Sequence, residues 1–331
     1  MNVRRLSPNV LDMDCAVEAA RIRGLLTHLV RSQLGRRGVV IALSGGVDSS
    51  VCAALAVQAL GPERTFALLL PERESSAAGT ALARRLAEQL GMPYVTQDIT
   101  SALEAIGCYR SRDEAIRALF PEYGQGWRSK LVIQGGLSGG LNFFALVVST
   151  PEGVCSQRRL PPREYLQIVG AQNFKQRVRK AIEYFHADRL RYAVLGTPNR
   201  LEYDQGFFVK NGDGSADVKP IAHLYKTQVY AMARHLGLPR EICESVPSSD
   251  TYSMAQTQDE FFFGLPYSQL DLALWAFNHD VPAAVLAGTI GISEDQARLI
   301  YRDIVAKRQS AQYQHARPLL ADHVTEVRIL G

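Results

Sequence analysis

The sequence predicts an α/β fold: a doubly wound parallel sheet flanked by helices. Three observations carry this. Short apolar runs of strand length alternate with longer helical runs through residues 14–99. One of the apolar runs, Val39 to Leu43, stops at Ser44-Gly45-Gly46 and gives way to a helix-like run. After an interruption the same rhythm returns, with a helix at Asn173–Phe185 and a strand at Tyr192–Leu195.

In order, Asp14 is a helix cap for a run to about Leu34 carrying Val17, Ile22, Leu25, Leu26, Leu29 and Val30. Gly35 to Gly38 break it. The strand at Val39 and the glycine loop follow, then a helix from Ser50 to Leu60. Thr65–Leu70 reads as a strand, Ala77–Leu90 as a helix closed by Gly91, and Tyr94–Ile99 as a strand. Residues 109–168 interrupt the pattern and read as an inserted hairpin region, with strands at Leu141–Thr150 and Val154–Leu160 around the turn Pro151-Glu152-Gly153. Gly135–Gly140 is a glycine loop there, but it opens no helix, which disfavours a second phosphate loop. Leu224–Leu236, Ser268–Phe277 and Ser293–Lys307 read as helices, the last with a capping box of Ser293 and Gln296. Residues 280–307 have the outline of a helix-turn-helix. No basic recognition helix stands out, so helix packing or a dimer contact is expected instead. The expected organisation is one domain over 1–331, with 109–168 inserted and 268–331 as a C-terminal helical extension.

Composition narrows the function. The 331 residues are 47% hydrophobic, enough for a sizeable core. The net charge of +4 suits an anionic small molecule and gives no argument for nucleic acid. Five scattered cysteines form no Cys-x-x-Cys pair, so a reduced, cytoplasmic setting is expected; Cys52, beside the glycine loop, reads as a buried helix residue. No run has transmembrane length or signal-peptide character.

The segment Ser-Gly-Gly-Val-Asp-Ser-Ser at 44–50 is the densest signal. A strand, a tight glycine loop and a helix N-terminus point backbone N–H groups at one spot, which suits phosphate. Asp48 places a carboxylate where phosphate would repel it, which implies a bridging Mg²⁺. No Gly-Lys-Ser/Thr follows, so this is not a Walker A loop. It resembles the loop of the ATP pyrophosphatases, which cut ATP between the α and β phosphates to form an adenylate.

A second polar cluster spans residues 194–228, with Thr197, Glu202, Lys210, Asp213, Asp217 and Lys226. Asn211-Gly212 and Asp213-Gly214 are tight-turn dipeptides, bracketed by Phe207, Phe208, Val218 and Ile221, so the segment is expected to be anchored. GTPNRLE, GFFVKNGDGSADVKPI and LYKTQVYAMARHLGLP, together with SGGVDSS, resemble the NAD synthetase family of the N-type ATP pyrophosphatases, in the family's order. The stretches around Pro247-Ser248, Gln256 to Glu260 and Gly264 to Tyr267 resemble the family further.

The resemblance implies roles. Ser44, Gly45, Gly46, Val47, Asp48, Ser49 and Ser50 would hold ATP, with Thr197, Lys226 and Ser248. Asp48 and Glu202 would be the Mg²⁺ carboxylates. Arg177, Lys210 and Asp217 would hold deamido-NAD (nicotinic acid adenine dinucleotide), and Asp213 is a candidate for ammonium. The reaction implied is ATP-dependent amidation of deamido-NAD to NAD through an acyl-adenylate, releasing AMP and pyrophosphate, by a cytoplasmic homodimer. Roughly forty residues precede the loop, too few for a glutamine-hydrolysing domain, so ammonia is the expected donor. A separate glutaminase subunit docking on the insertion stays open.

Three departures from the family stand out. Leu69 sits where the family has an Arg that contacts ATP, with Arg73 the candidate substitute. His315-Ala316 meets a family His-Lys. The insertion 109–168 has no counterpart in compact members. Two alternatives follow: an adenylating amide synthase acting on another carboxylic acid, and a non-catalytic nucleotide-binding module. The second has no use for two metal carboxylates. A tRNA thiolase is disfavoured by the lack of paired cysteines and of a basic surface signal.

Overall fold

The computed structural model describes residues 6–134, 143–245, 252–254, 265–322 and 324–325. Asp14 accepts from the N–H groups of Ala16 and Val17 at 2.9 and 3.0 Å and starts α1 (Cys15–Thr27), which widens into a π-turn over His28–Gln33. Strand β1 (Val39–Ala42) leads to α2 (Val47–Leu60), β2 (Thr65–Leu69), α3 (Ala77–Gln89) and β3 (Tyr94–Thr96). Helices α4 (Thr100–Ala105) and α5 (Cys108–Arg117) precede the strands β4 (Arg128–Gln134), β5 (Phe143–Ser149) and β6 (Cys155–Arg159). The long α6 (Pro162–Leu190) then runs into β7 (Ala193–Val194). Helices α7 (Arg200–Gln205), α8 (Lys226–His235), α9 (Arg240–Cys243), α10 (Tyr267–Asn278), α11 (Ala283–Ile290) and α12 (Glu294–His315) complete the described elements.

The main sheet has the order β3-β2-β1-β7, all parallel. Its central strand is buried on both faces, with Val39, Val40 and Ile41 fully inaccessible. Alternation sorts their side chains. Val39 and Ile41 join Ala67 and Leu69 in a core with α1, α2, α3 and α8; Val40 joins Leu68 and Leu70 in a core with α4, α5 and α6. Helices on both faces make the sheet doubly wound, as expected. The chain leaves β1 toward β2 on one side and returns to pair β7 on the other, so the switch point lies between β1 and β7.

Three expectations need correction. Helix α2 begins at Val47, not Ser50, because Gly46 serves as its cap, which puts Asp48 in the first turn. Residues 109–168 hold most of α5, a three-stranded antiparallel sheet β4-β5-β6 rather than a hairpin, and the start of α6. Strand β4 was hidden by its charged start, Arg128-Ser129-Lys130, yet Ser129 and Leu131 face inward. Helix α6 begins at Pro162, not Asn173, with proline at its first turn. Its apolar face changes partner midway: Ile168 and Tyr165 pack on the inserted sheet, whereas Phe174, Val178 and Ile182 pack on the main sheet. That change of face masks the helical period. Gly135–Gly140, Gln256 to Glu260 and Gly264 lie outside the described residues. The region 280–307 forms α11 and most of α12, which pack together with α10 on one core that also takes Leu6, Leu11 and Leu201. The Ser293–Gln296 capping box is present.

Candidate active site

The loop after β1 is tied by its own hydroxyls. Ser44 Oγ accepts from Gly46 N–H at 3.2 Å and lies 3.3 Å from Ser49 Oγ; Ser49 and Ser50 hydroxyls donate to the Gly46 carbonyl at 3.1 and 2.7 Å. Gly45 sits at φ 84°, and a Cβ there would meet the Gly79 carbonyl oxygen at 2.4 Å, so only glycine fits. The result is a rigid turn that directs the free N–H groups of the first turn of α2 into a cavity of about 470 Å³. Ser44, Gly45, Gly46, Val47, Asp48 and Ser49 line it, with Gly196, Thr197 and Pro198 after β7. This is the carboxyl end of the sheet at the switch point.

Three charged groups from distant parts of the chain meet in this cavity. Lys226, the first residue of α8 and 1% exposed, pairs through Nζ with Asp48 Oδ2. Asn199 Nδ2 donates to Asp48 Oδ1 at 3.1 Å, and Asn199 N–H donates to Glu202 Oε2 at 3.1 Å. The Asn199 side-chain oxygen in turn accepts from the N–H groups of Leu201 and Glu202, which starts α7. One residue therefore aims both carboxylates. Asn199 was not among the sequence candidates; its signal was the N-cap pattern Asn199-x-x-Glu202.

The electrostatics are frustrated. Burial, and then the negative charge of Asp48, push Glu202 up to about 7, and Lys226 offsets this only in part. Burial opposes the Lys226 charge, but Asp48 and Glu202 outweigh it and hold its pKa above the usual value. Cys52 is driven well above its ordinary range by burial, then by Asp48 and Glu202, so it is an inert core thiol as expected. Two carboxylates against one ammonium fit a Mg²⁺ site, because Mg²⁺ is held by one or two carboxylates together with substrate phosphates. Among the described residues no group of three or more His, Cys, Asp or Glu could hold a metal alone.

The other sequence candidates divide. Asp213 lines the cavity; burial raises its pKa, and Oδ1 accepts from Val209 N–H at 2.7 Å. Arg177 and Lys210 lie together, Arg177 Nε donating to the Lys210 carbonyl at 3.3 Å, but neither lines this cavity. Lys210 Nζ instead donates to the carbonyls of Tyr313 and Ala316 at 2.7 and 3.0 Å. Asp217 is exposed and accepts from Val194 N–H at 2.7 Å, at the edge of β7. Ser50 is buried behind the loop. Ser248 lies outside the described residues.

Arg73, the candidate substitute at Leu69, does not line this cavity: its guanidinium lies 3.5 Å over the Tyr109 ring and pairs with Glu104 at 3.3 Å. Arg179 on α6 lines the cavity instead, with Nε donating to the Leu70 carbonyl at 3.1 Å. Lys180 and Glu183, paired at 2.8 Å, line the same wall.

Comparison with known proteins adds four findings. A family model described as NAD synthase matches residues 18–152 and 148–318. An NH(3)-dependent NAD(+) synthetase of Mesorhizobium japonicum is 53% identical over 318 residues, covering 96% of this chain and 100% of that protein. Its namesake in Rhizobium meliloti is 52% identical over 322 residues, covering 97% and 96%. Among solved structures, an NH3-dependent NAD synthetase of Campylobacter jejuni aligns with a TM-score of 0.62 at 21% identity, over 94% of this chain and 100% of that one. At that identity the match speaks to the fold.

Proposed function

We infer the reaction from one premise: the chain belongs to the NAD synthase family. It is a ligase of NAD biosynthesis that amidates deamido-NAD to NAD at the expense of ATP, with ammonia as nitrogen donor.

The site residues are our assignment. A carboxylate is a poor acyl electrophile, so an oxygen of the nicotinate carboxylate attacks the α-phosphorus of ATP. The bond from that phosphorus to the bridging oxygen breaks, and pyrophosphate leaves. The N–H groups of 44–49 and the Lys226 ammonium share one cavity, where they would stabilise the charge that gathers on the leaving pyrophosphate. Asp48 and Glu202 would hold Mg²⁺, which when bound neutralises phosphate charge. Thr197 and Arg179 border the ATP space, and Ser248 is carried by resemblance only. Ammonia then attacks the acyl carbon and AMP leaves. Ammonium must first lose a proton; Asp213, whose carboxyl is a stronger base than an exposed one, is our candidate to take it. Arg177, Lys210 and Asp217 are proposed for deamido-NAD, outside the ATP cavity. A homodimer is proposed on family resemblance alone, and a cytoplasmic location on that together with five unpaired cysteines. Among the described residues no helix is long and apolar enough to cross a membrane.

The observation that carries the assignment is the meeting of Asp48, Glu202 and Lys226 at the phosphate loop. Pyrophosphate release by the pure chain is expected to require ATP, Mg²⁺ and deamido-NAD together, and NAD to form with ammonium but not with glutamine. Nucleotide binding without release, or release driven better by another carboxylic acid, would displace it.

A further inference from the structure

Helix α8 starts with only half a cap of its own: Gln228 Oε1 accepts from the Tyr225 N–H at 3.0 Å, and no N-cap side chain serves the N–H groups of the first turn. Its cap position is Tyr225, whose side chain makes no capping hydrogen bond. Ser, Thr, Asp or Asn usually fills that place and satisfies the orphan N–H groups. Here the acceptor comes from another part of the chain. Asp271 on α10, fully buried, accepts through Oδ2 from Thr227 N–H at 2.8 Å and from Thr227 Oγ1 at 2.9 Å. The Lys226 N–H is close enough to favour the charged form of this carboxyl.

The placement of Asp271 is costly. Leu270, Leu272, Ala273 and Leu274 around it in sequence are all core residues. Its Oδ1 is buried with no hydrogen-bond partner among the described residues. Burial raises its pKa to about 6 against the pull of the N–H donors of α8. Packing alone favours an apolar side chain here. What the carboxylate does hold is the first turn of α8, whose first residue sends its ammonium to Asp48. Lys226 has a long, flexible stem, so the position of its backbone decides where Nζ rests.

We infer that Asp271 is a positioning residue for Lys226, anchoring the first turn of α8 from the C-terminal helices so that the ammonium stays at the phosphate loop. This rests on the assignment of Lys226 to the ATP site made above. It makes α10–α12 part of the catalytic frame rather than an addition to it.

Asp271→Asn keeps a carbonyl oxygen for the N–H groups of α8, whereas Asp271→Leu keeps the volume and removes the acceptor. Pyrophosphate release is measured on full-length variants over a range of ATP at saturating Mg²⁺ and deamido-NAD, well below each thermal midpoint. Asp271→Leu is expected to slow release about 30-fold at unchanged KM, and Asp271→Asn to recover to within about 3-fold of the parent. A lower thermal midpoint with parental rates in both variants overturns the proposal. If Asp271→Leu does not fold, Thr227→Val decides: it removes one donor and is expected to lower kcat about 3-fold at unchanged KM. A parental kcat in Thr227→Val overturns the proposal as well. Lys226→Met separates the two levels. If it retains release, the Lys226 assignment itself is wrong; if it loses release while the Asp271 variants do not, only the positioning role fails.

Discussion

Two buried ion clusters sit near the carboxyl ends of the sheet strands, and they are built on opposite terms. Behind the loop that follows β2, Lys175 Nζ pairs with Glu72 at 3.0 Å and Glu74 at 2.6 Å. Arg112 pairs with Glu74 at 2.5 Å, and Tyr109 donates to Glu72 at 2.7 Å. Burial opposes the Glu74 charge, but Lys175 and Arg112 outweigh it and the pKa falls. At the phosphate loop the balance goes the other way. Asp48 and Glu202 share one ammonium, and Glu202 is pushed up. In the first cluster each buried carboxylate has its own cation, Lys175 for Glu72 and Arg112 with Lys175 for Glu74, while the partly exposed Asp113 also pairs with Arg112 at 2.8 Å; the cluster ties α5 and α6 to the β2 loop. The second keeps a carboxylate in excess, as a site for a cation and phosphates requires. Buried charge marks function where it is unbalanced, and architecture where it is matched.

Mutation at each cluster tests this contrast. Asp48→Ala is expected to cut pyrophosphate release by about 10³-fold or more while the denaturation midpoint barely moves. An active Asp48→Ala enzyme would contradict the site. Lys175→Met is expected to do the reverse, because it leaves buried Glu72 without a cation and Glu74 with Arg112 alone: a loss of about 3 kcal/mol in urea unfolding, with near-parental kcat/KM in the folded fraction. A large kcat loss without destabilisation would merge the two clusters into one site.

The smallest effect concerns pH. The folded pKa of Glu202, about 7, lies above the unfolded value near 4.5. Its contribution to stability is therefore fully present below about pH 4.5 and is lost as pH rises through 7. Without nucleotide or metal, the parent is expected to lose about 2 kcal/mol more than Glu202→Gln between pH 5 and 8. Parallel stability profiles would show that Glu202 is not frustrated.

Much of this was legible in the chain. Val39 to Ser50 announced a strand, a loop and a helix start by the abrupt change from apolar residues to glycine, and Asp14 and Ser293 announced their caps. These are local events, decided within a few residues. Strand β4 and the first half of α6 were not legible, because their patterns answer to partners distant in sequence. Asn199 could be read as a cap but not as the donor to Asp48, 151 positions away. Arg73 and Arg179 show the same limit: Tyr109 draws the first aside, and the Leu70 carbonyl anchors the second at the cavity.

By itself, then, the sequence determined the fold class and the tight glycine loop between β1 and α2, because loop geometry and the alternation of strands and helices depend on short-range backbone rules. Only the tertiary structure decided which side chains meet. Asp48 faces Lys226 and Asn199, Arg179 stands at the cavity wall in place of Arg73, and Asp271 reaches across to cap the helix that Lys226 begins. Those meetings depend on where packed elements bring residues far apart in the chain, and local pattern does not carry that information.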